Sequence, residues 1–159
     1  SYLGTGSDNA GQLRIYSKDG ETGSYIGNGY LQSYNKFGER TLFLGTGSSG
    51  GGYIRTYNFD GQETAYLGTG ADSSGQLRIY DSVGETGTFI GSGYFRSYNQ
   101  FGKMSTYLGN GRDGGGYLRT NNKFETETTF LGTNNANEGL INLNDKFGQS
   151  FWIRLNKDK

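Results

Sequence analysis

The chain contains no cysteine, no proline and no histidine. Without cysteine there is no disulfide, no thiolate nucleophile and no zinc–sulfur site. Without histidine the commonest metal ligand and general base is missing, so neither a cofactor nor a metal is expected. Aliphatic residues are scarce: only 31% of the 159 residues are apolar, and 13 Tyr and 10 Phe supply much of that share. No run approaches the roughly 18 consecutive apolar residues of a membrane-crossing helix, so membrane insertion is not expected. Fifteen basic and fifteen acidic residues cancel to a net charge of zero, which removes the electrostatic reason to expect nucleic acid as a partner. What the chain has instead is 30 glycines, regularly placed. That order, with 15% aromatic residues, separates it from the polar chains that stay unfolded.

Leu/Ile-Gly recurs, after an aromatic or similar residue, at Leu3-Gly4, Ile26-Gly27, Leu44-Gly45, Leu67-Gly68, Ile90-Gly91, Leu108-Gly109 and Leu131-Gly132, in steps of 23, 18, 23, 23, 18 and 23 residues. Three steps make a period of 64. Laying residues 2–65 on 66–129 gives 37 identities in 64 positions, the signature of an internal repeat. A glycine opens each block at Gly11, Gly29, Gly52, Gly75, Gly93, Gly116 and Gly139, and for the first six the next Leu/Ile-Gly lies 15 residues on. Connections of 3 or 8 residues join the blocks, and the longer ones are expected at the surface.

Each block reads as strand, turn, strand. In Gly52-Tyr53-Ile54-Arg55-Thr56-Tyr57-Asn58, Ile54 and Thr56 face one way and Tyr53, Arg55 and Tyr57 the other, the period of two of a half-buried strand. One face carries Leu13, Leu31, Ile54, Leu77, Phe95, Leu118 and Ile141, with Ile15, Ser33, Thr56, Ile79, Ser97, Thr120 and Leu143 beside them. The other carries Arg14, Gln32, Arg55, Arg78, Arg96, Arg119 and then Asn142. Asn35-Lys36-Phe37-Gly38 and its counterparts ending in Gly61, Gly84 and Gly102 suit type I turns with a positive-φ glycine. Gly27-Asn28-Gly29 and Gly91-Ser92-Gly93 suit tight hairpins. No segment has a helical period, and an all-β repeat protein without helices is expected.

So thin an apolar stripe, at ~25 cal/mol per Å2 removed from water, struggles against ~1–2 kcal/mol of backbone entropy per residue. A single layer would also leave its apolar face and an edge open. Either the chain coils into a solenoid or several copies share one core. The alternation Leu13-Arg14-Ile15, the glycine turns, the return strand to Leu44 or Leu67 and the variable loop together resemble the shaft repeats of trimeric viral fibres, the triple β-spirals of adenovirus and reovirus. The wording from Gly52 to Gly61 is also similar to repeats of phage tail fibres (triple β-helix type) and bacterial fibre-like adhesins. The likeness spans residues 2–150, although proline, present at adenovirus turns, is absent here. It implies an elongated, intertwined homotrimer whose core is Leu13, Ile15, Leu31, Ile54, Leu77, Ile79, Phe95, Leu118, Ile141 and Leu143. It further implies a non-enzymatic display or adhesion role on an extracellular surface or a virion, with a glycan or cell-envelope receptor. Glucan-binding repeats of bacterial surface proteins, which are monomeric carbohydrate-binding β-solenoids, are similar in composition, but their regular tryptophans are matched here by Trp152 alone. A polysaccharide-cleaving tail spike is the third reading.

Residues 1–150 thus form seven short repeats, and 151–159, where Phe151-Trp152-Ile153-Arg154-Leu155 replaces the motif, are expected to be an end cap or a junction. Because Ser1-Tyr2-Leu3-Gly4 starts in mid-block, the chain is expected to be a piece of a longer polypeptide. Glu21, Glu85, Asp8, Asp72 and Asp113 are carboxylates at repeated or loop positions, which suits solubility better than the paired acids of a glycosidase. Gly45–Gly52 lacks the Lys-Ser/Thr and following helix of a phosphate loop. The outward Tyr16, Tyr34, Tyr57, Tyr80 and Tyr98 beside the arginines are sticky recognition material, but ordinary cross-strand packing accounts for a ladder so regular. A ligand site is better sought where the pattern breaks: Trp152 with Arg154, or Arg112 and Asp113 in a variant loop, with Tyr57 and Tyr98 as sugar-stacking candidates.

Overall fold

The computed structural model describes residues 1–155, with side chains to residue 152. Among these residues there is no helix; fifteen strands fall into two compact units, residues 1–84 and 85–159. The first unit holds β1 (Tyr2–Thr5), β2 (Gly11–Tyr16), β3 (Thr22–Gly27), β4 (Tyr30–Tyr34), β5 (Arg40–Thr46), β6 (Gly52–Tyr57), β7 (Glu63–Thr69) and β8 (Gly75–Tyr80). The second holds β9 (Thr86–Gly91), β10 (Tyr94–Tyr98), β11 (Met104–Asn110), β12 (Gly116–Asn121), β13 (Glu127–Thr133), β14 (Gly139–Asn144) and β15 (Ser150–Leu155). Within each unit every strand pairs antiparallel with the next, from β1 to β8 and from β9 to β15. Strands in a unit touch only their sequence neighbours, so each unit is a one-layer meander. The expected all-β repeat architecture is present. The segment with Phe151 and Trp152 continues the second meander as β15.

Turn chemistry sets the register. At Asn35–Glu39 the Asn35 N–H donates to the Glu39 carbonyl at 2.8 Å, Gly38 N–H donates to the Asn35 carbonyl at 3.1 Å, and Gly38 takes φ +80°. The Asn35 side-chain oxygen accepts from the N–H groups of Phe37 and Glu39 at 2.9 and 3.0 Å, a local bond that favours the turn over continued strand. A bulge between Ser33 and Tyr34 leads into the turn. The longer connections, such as 47–51 and 111–115, close with the same pair of backbone bonds, so they are extended strands tipped by that same turn. The short connections carry Asn28 and Gly29, or Ser92 and Gly93, at successive positive φ values, as a two-residue hairpin with the twist of its strands requires.

This register lines up two faces. On one, Leu3, Leu13, Ile26, Leu31, Leu44, Ile54, Leu67 and Leu77 stand directly opposite one another across the first unit. Ile90, Phe95, Leu108, Leu118, Leu131 and Ile141 do so in the second. A column of smaller residues runs alongside, including Ser24, Ser33, Thr56 and Ala65. Near the turns, hydroxyl pairs such as Thr56–Thr64 at 2.8 Å and Ser97–Ser105 at 2.9 Å satisfy some of these polar groups within the sheet. The aliphatic face is open: Ile26 is 45% exposed, Leu67 52% and Leu108 54%. Tyr107, on the opposite face, is the one side chain among the described residues that is buried.

Candidate functional site

That opposite face is built by glycine and tyrosine together. Gly45, Gly68, Gly109 and Gly132 end the Leu/Ile-Gly motifs, and each lies across from or beside a tyrosine that follows an opening glycine. A Cβ on Gly68 would sit 2.4 Å from the Tyr53 Cβ and 2.8 Å from the Gly52 carbonyl, and one on Gly132 2.3 Å from the Tyr117 Cβ. These glycines leave a flat strip on which rings lie down. Tyr66 reaches along it to donate its hydroxyl to the Thr69 carbonyl at 2.7 Å, and Tyr107 does the same to Asn110.

The rings then meet face to face. Tyr25, Tyr30, Phe43, Tyr53 and Tyr66 form a stack in the first unit, with centroids 5.2, 5.4, 5.0 and 5.6 Å apart. Phe89, Tyr94, Tyr107, Tyr117 and Phe130 form its counterpart, at 5.2, 5.6, 4.7 and 5.2 Å. Such pairs add about 0.5–1.5 kcal/mol each beyond area burial. Arginines lie over the rings: Arg55 is 4.8 Å from the Tyr53 centroid and Arg96 4.4 Å from that of Tyr94. Burial pulls the Arg55 proton affinity down, but Glu63, in an ion pair at 3.2 Å, and Tyr57 outweigh it, leaving the guanidinium more firmly charged than usual. Burial raises the pKa of the Tyr107 phenol, with Tyr117 adding to it. Neither stack was legible in the ladder Tyr16, Tyr34, Tyr57, Tyr80 and Tyr98. The signal was present as the aromatic before Leu/Ile-Gly and the tyrosine after the opening glycine, but only pairing merges those two series.

A concavity of about 710 Å3 lies on this face in the second unit, where the stack ends at Phe130. Tyr117, Arg119 and Phe130 line it, with Glu127, Leu140 and Asn142, and the hairpin tips contribute Arg112, Asp113 and Asn134–Asn137. The β13–β14 tip is held in shape by the Asn134 side-chain oxygen, which accepts from the N–H groups of Ala136 and Glu138 at 2.9 Å each. The Asn142 side-chain oxygen is sealed from solvent without a hydrogen-bond partner. Two of the expected site residues, Arg112 and Asp113, are therefore brought together with an aromatic platform. Tyr57 lies in the first unit under the Arg40 guanidinium, 4.5 Å from its ring centroid. Tyr98 ends β10 at a bulge opposite Met104 and does not line the cavity. Trp152 stands opposite Leu143, in the small-residue column of the aliphatic face, and is 42% exposed. Arg154 has its backbone opposite Ile141, and its side chain lies outside the described residues.

Two of the carboxylates considered for catalysis, Asp8 and Asp72, have local partners. Asp8 accepts from Ala10 N–H at 3.1 Å and from the Asn28 side chain, and the Asn28 bond, ahead of the Ala10 one, holds its pKa below the usual value. Asp72 accepts from the Ser74 N–H and hydroxyl. Among the described residues no three acidic side chains converge to hold a metal ion. No family model and no curated protein matches the chain.

Proposed function

We propose that the chain is a structural and adhesive segment of a homotrimeric surface or tail fibre, with no catalytic role. The observation that carries this reading is the aliphatic face. Two one-layer meanders each align an unbroken column of Leu, Ile or Phe, and none of those side chains is buried. Monomeric proteins rarely leave contiguous apolar patches larger than a few hundred Å2 open to water. A second layer is needed, and the same face of other copies offers one of matching spacing. The neighbouring column is mostly Ser, Thr and Ala, with Ile15, Leu42, Ile79 and Leu143 as larger members; its small residues let such faces approach closely, which favours a narrow shared core over a second, thicker domain. The aromatic and arginine face is then left outward on all copies, where a receptor such as a glycan meets three equal surfaces and avidity multiplies a weak contact.

Sedimentation at low protein concentration tests the reading. A mass three times 17.4 kDa is expected. A folded, cooperative species of one chain mass overturns it and leaves the monomeric carbohydrate-binding reading, which the two aromatic stacks favour. Sugar release from bacterial polysaccharides by the intact protein would instead move it to the cleaving class.

A further inference from the structure

The two repeats match at 37 of 64 positions up to residue 129, and the places beside Phe130 then differ. Sixty-four residues earlier, the first stack ends at Tyr66, which is flanked by Arg78 across the strand pair, with Gln76 beside it. There the Arg78 guanidinium donates to the Gln76 side-chain oxygen at 3.4 Å. At the matching places beside Phe130 stand Asn142 and Leu140. The exchange removes a long cation and opens the cavity. Over the same shift, Ser48 and Ser49 at the neighbouring hairpin tip become Arg112 and Asp113. Loss of the filling arginine and gain of Arg112 and Asp113 at the rim occur at one place.

We propose that this cavity binds one or two units of a neutral hexopyranose glycan. Its volume of about 710 Å3 falls within the 300–1,000 Å3 of small-molecule sites. Phe130 has no hydroxyl; it stacks on Tyr117 with the rings inclined by 20°, and as the last ring of the stack it is the apolar platform of the cavity. A pyranose presents a C–H face to such a platform and a rim of hydroxyls around it, each both donor and acceptor. The walls match that rim: arginine donates, carboxylate accepts, and asparagine does both. Arg112 and Arg119 are balanced by Asp113 and Glu127, so the walls carry no net charge to attract a phosphate or polyanion. An apolar peptide would leave those charges desolvated without partners. The inference rests on the fibre reading only in needing the aromatic face outward.

The test fills the cavity with the residues the chain itself uses 64 positions earlier. Leu140→Gln with Asn142→Arg, and separately Phe130→Ala, are compared with the parent chain in titrations with methyl glycosides of hexoses and N-acetylhexosamines, followed by aromatic NMR shifts. Circular dichroism and sedimentation are run on the same samples. For the parent, at least one glycoside is expected to shift Tyr117 or Phe130 signals. Both variants are expected to weaken that binding at least about tenfold, roughly 1.4 kcal/mol, with mass and strand content unchanged. Equal binding by the filled variant overturns the site, as does the absence of any shift across the panel. Binding by a single-chain species would end the fibre reading and leave the site standing, whereas a trimer that ignores every glycoside would end the site alone.

Discussion

Glycine has two separate jobs in this chain, and they respond differently to substitution. Gly75 opens β8 with nothing within 4 Å of an added Cβ, whereas at Gly68 the Cβ would collide with Tyr53 and with the Gly52 carbonyl. Gly68→Ala is expected to cost about 1–3 kcal/mol, the range of overpacking a filled site, and Gly75→Ala to be near neutral. Denaturation midpoints of the two variants check this, and equal midpoints would contradict the flat-strip account of the aromatic stack. The tyrosines make a second residue-scale prediction. Burial is the first cause of the raised pKa values of Tyr25, Tyr80 and Tyr107. A raised phenol binds its proton more tightly when folded, so its share of stability is intact below the unfolded value of about 10. That share is lost as pH climbs through the folded value. Stability is expected to be flat through neutral pH and to fall above pH ~10, with tyrosinate absorbance rising later in the folded protein than in the unfolded one.

At the scale of the hairpin, one turn recipe closes both the turn inside a block and the longer connections between blocks. Asn99 holds the β10–β11 turn by accepting from Phe101 and Lys103 N–H at 2.9 and 3.1 Å, while Gly102 takes φ +69°. Asn99→Ala is expected to destabilise by about 0.5–1.5 kcal/mol, the net worth of such bonds, and Gly102→Val by more, because a β-branched residue resists positive φ. Thermal unfolding compares them; a Gly102→Val chain as stable as the parent would mean that the turn tolerates another geometry. The β5–β6 connection closes with the same backbone bonds between Gly47 and Gly51. The longer connections therefore extend the strands and reverse them with this turn, whereas the short ones reverse in two residues, Asn28-Gly29 or Ser92-Gly93.

At the scale of the molecule, each unit has ample hydrogen bonding and little interior. Its ladder bonds and ring stack hold the layer in shape, but the aliphatic columns still face solvent. Leu44→Lys in the first unit and Leu108→Lys in the second place a charge in the middle of those columns. In the proposed trimer either change is expected to lower the associated mass at a given concentration or to abolish folding. The matching outward change Tyr16→Lys is expected to leave mass unaltered. If the leucine variants associate as the parent does, another surface holds the copies together.

Strands, turns, repeat length and the sidedness of each strand could all be read along the chain, because they depend on neighbours two to four residues away. Ile54 against Arg55, or Asn35 with Gly38, carries its own instruction. The fusion of two tyrosine series into one stack could not be read that way. It depends on which residue of one strand stands opposite which residue of the next, so that Tyr53 meets Gly68 and Tyr117 meets Gly132. The candidate site divides along the same line. Arg112 and Asp113 stood out as a broken pattern, while Leu140 and Asn142 became meaningful only when register set them beside Phe130. Local chemistry along the backbone chose the elements; long-range pairing between strands chose the surface, because a cavity is made by neighbours that the chain brings together only on folding.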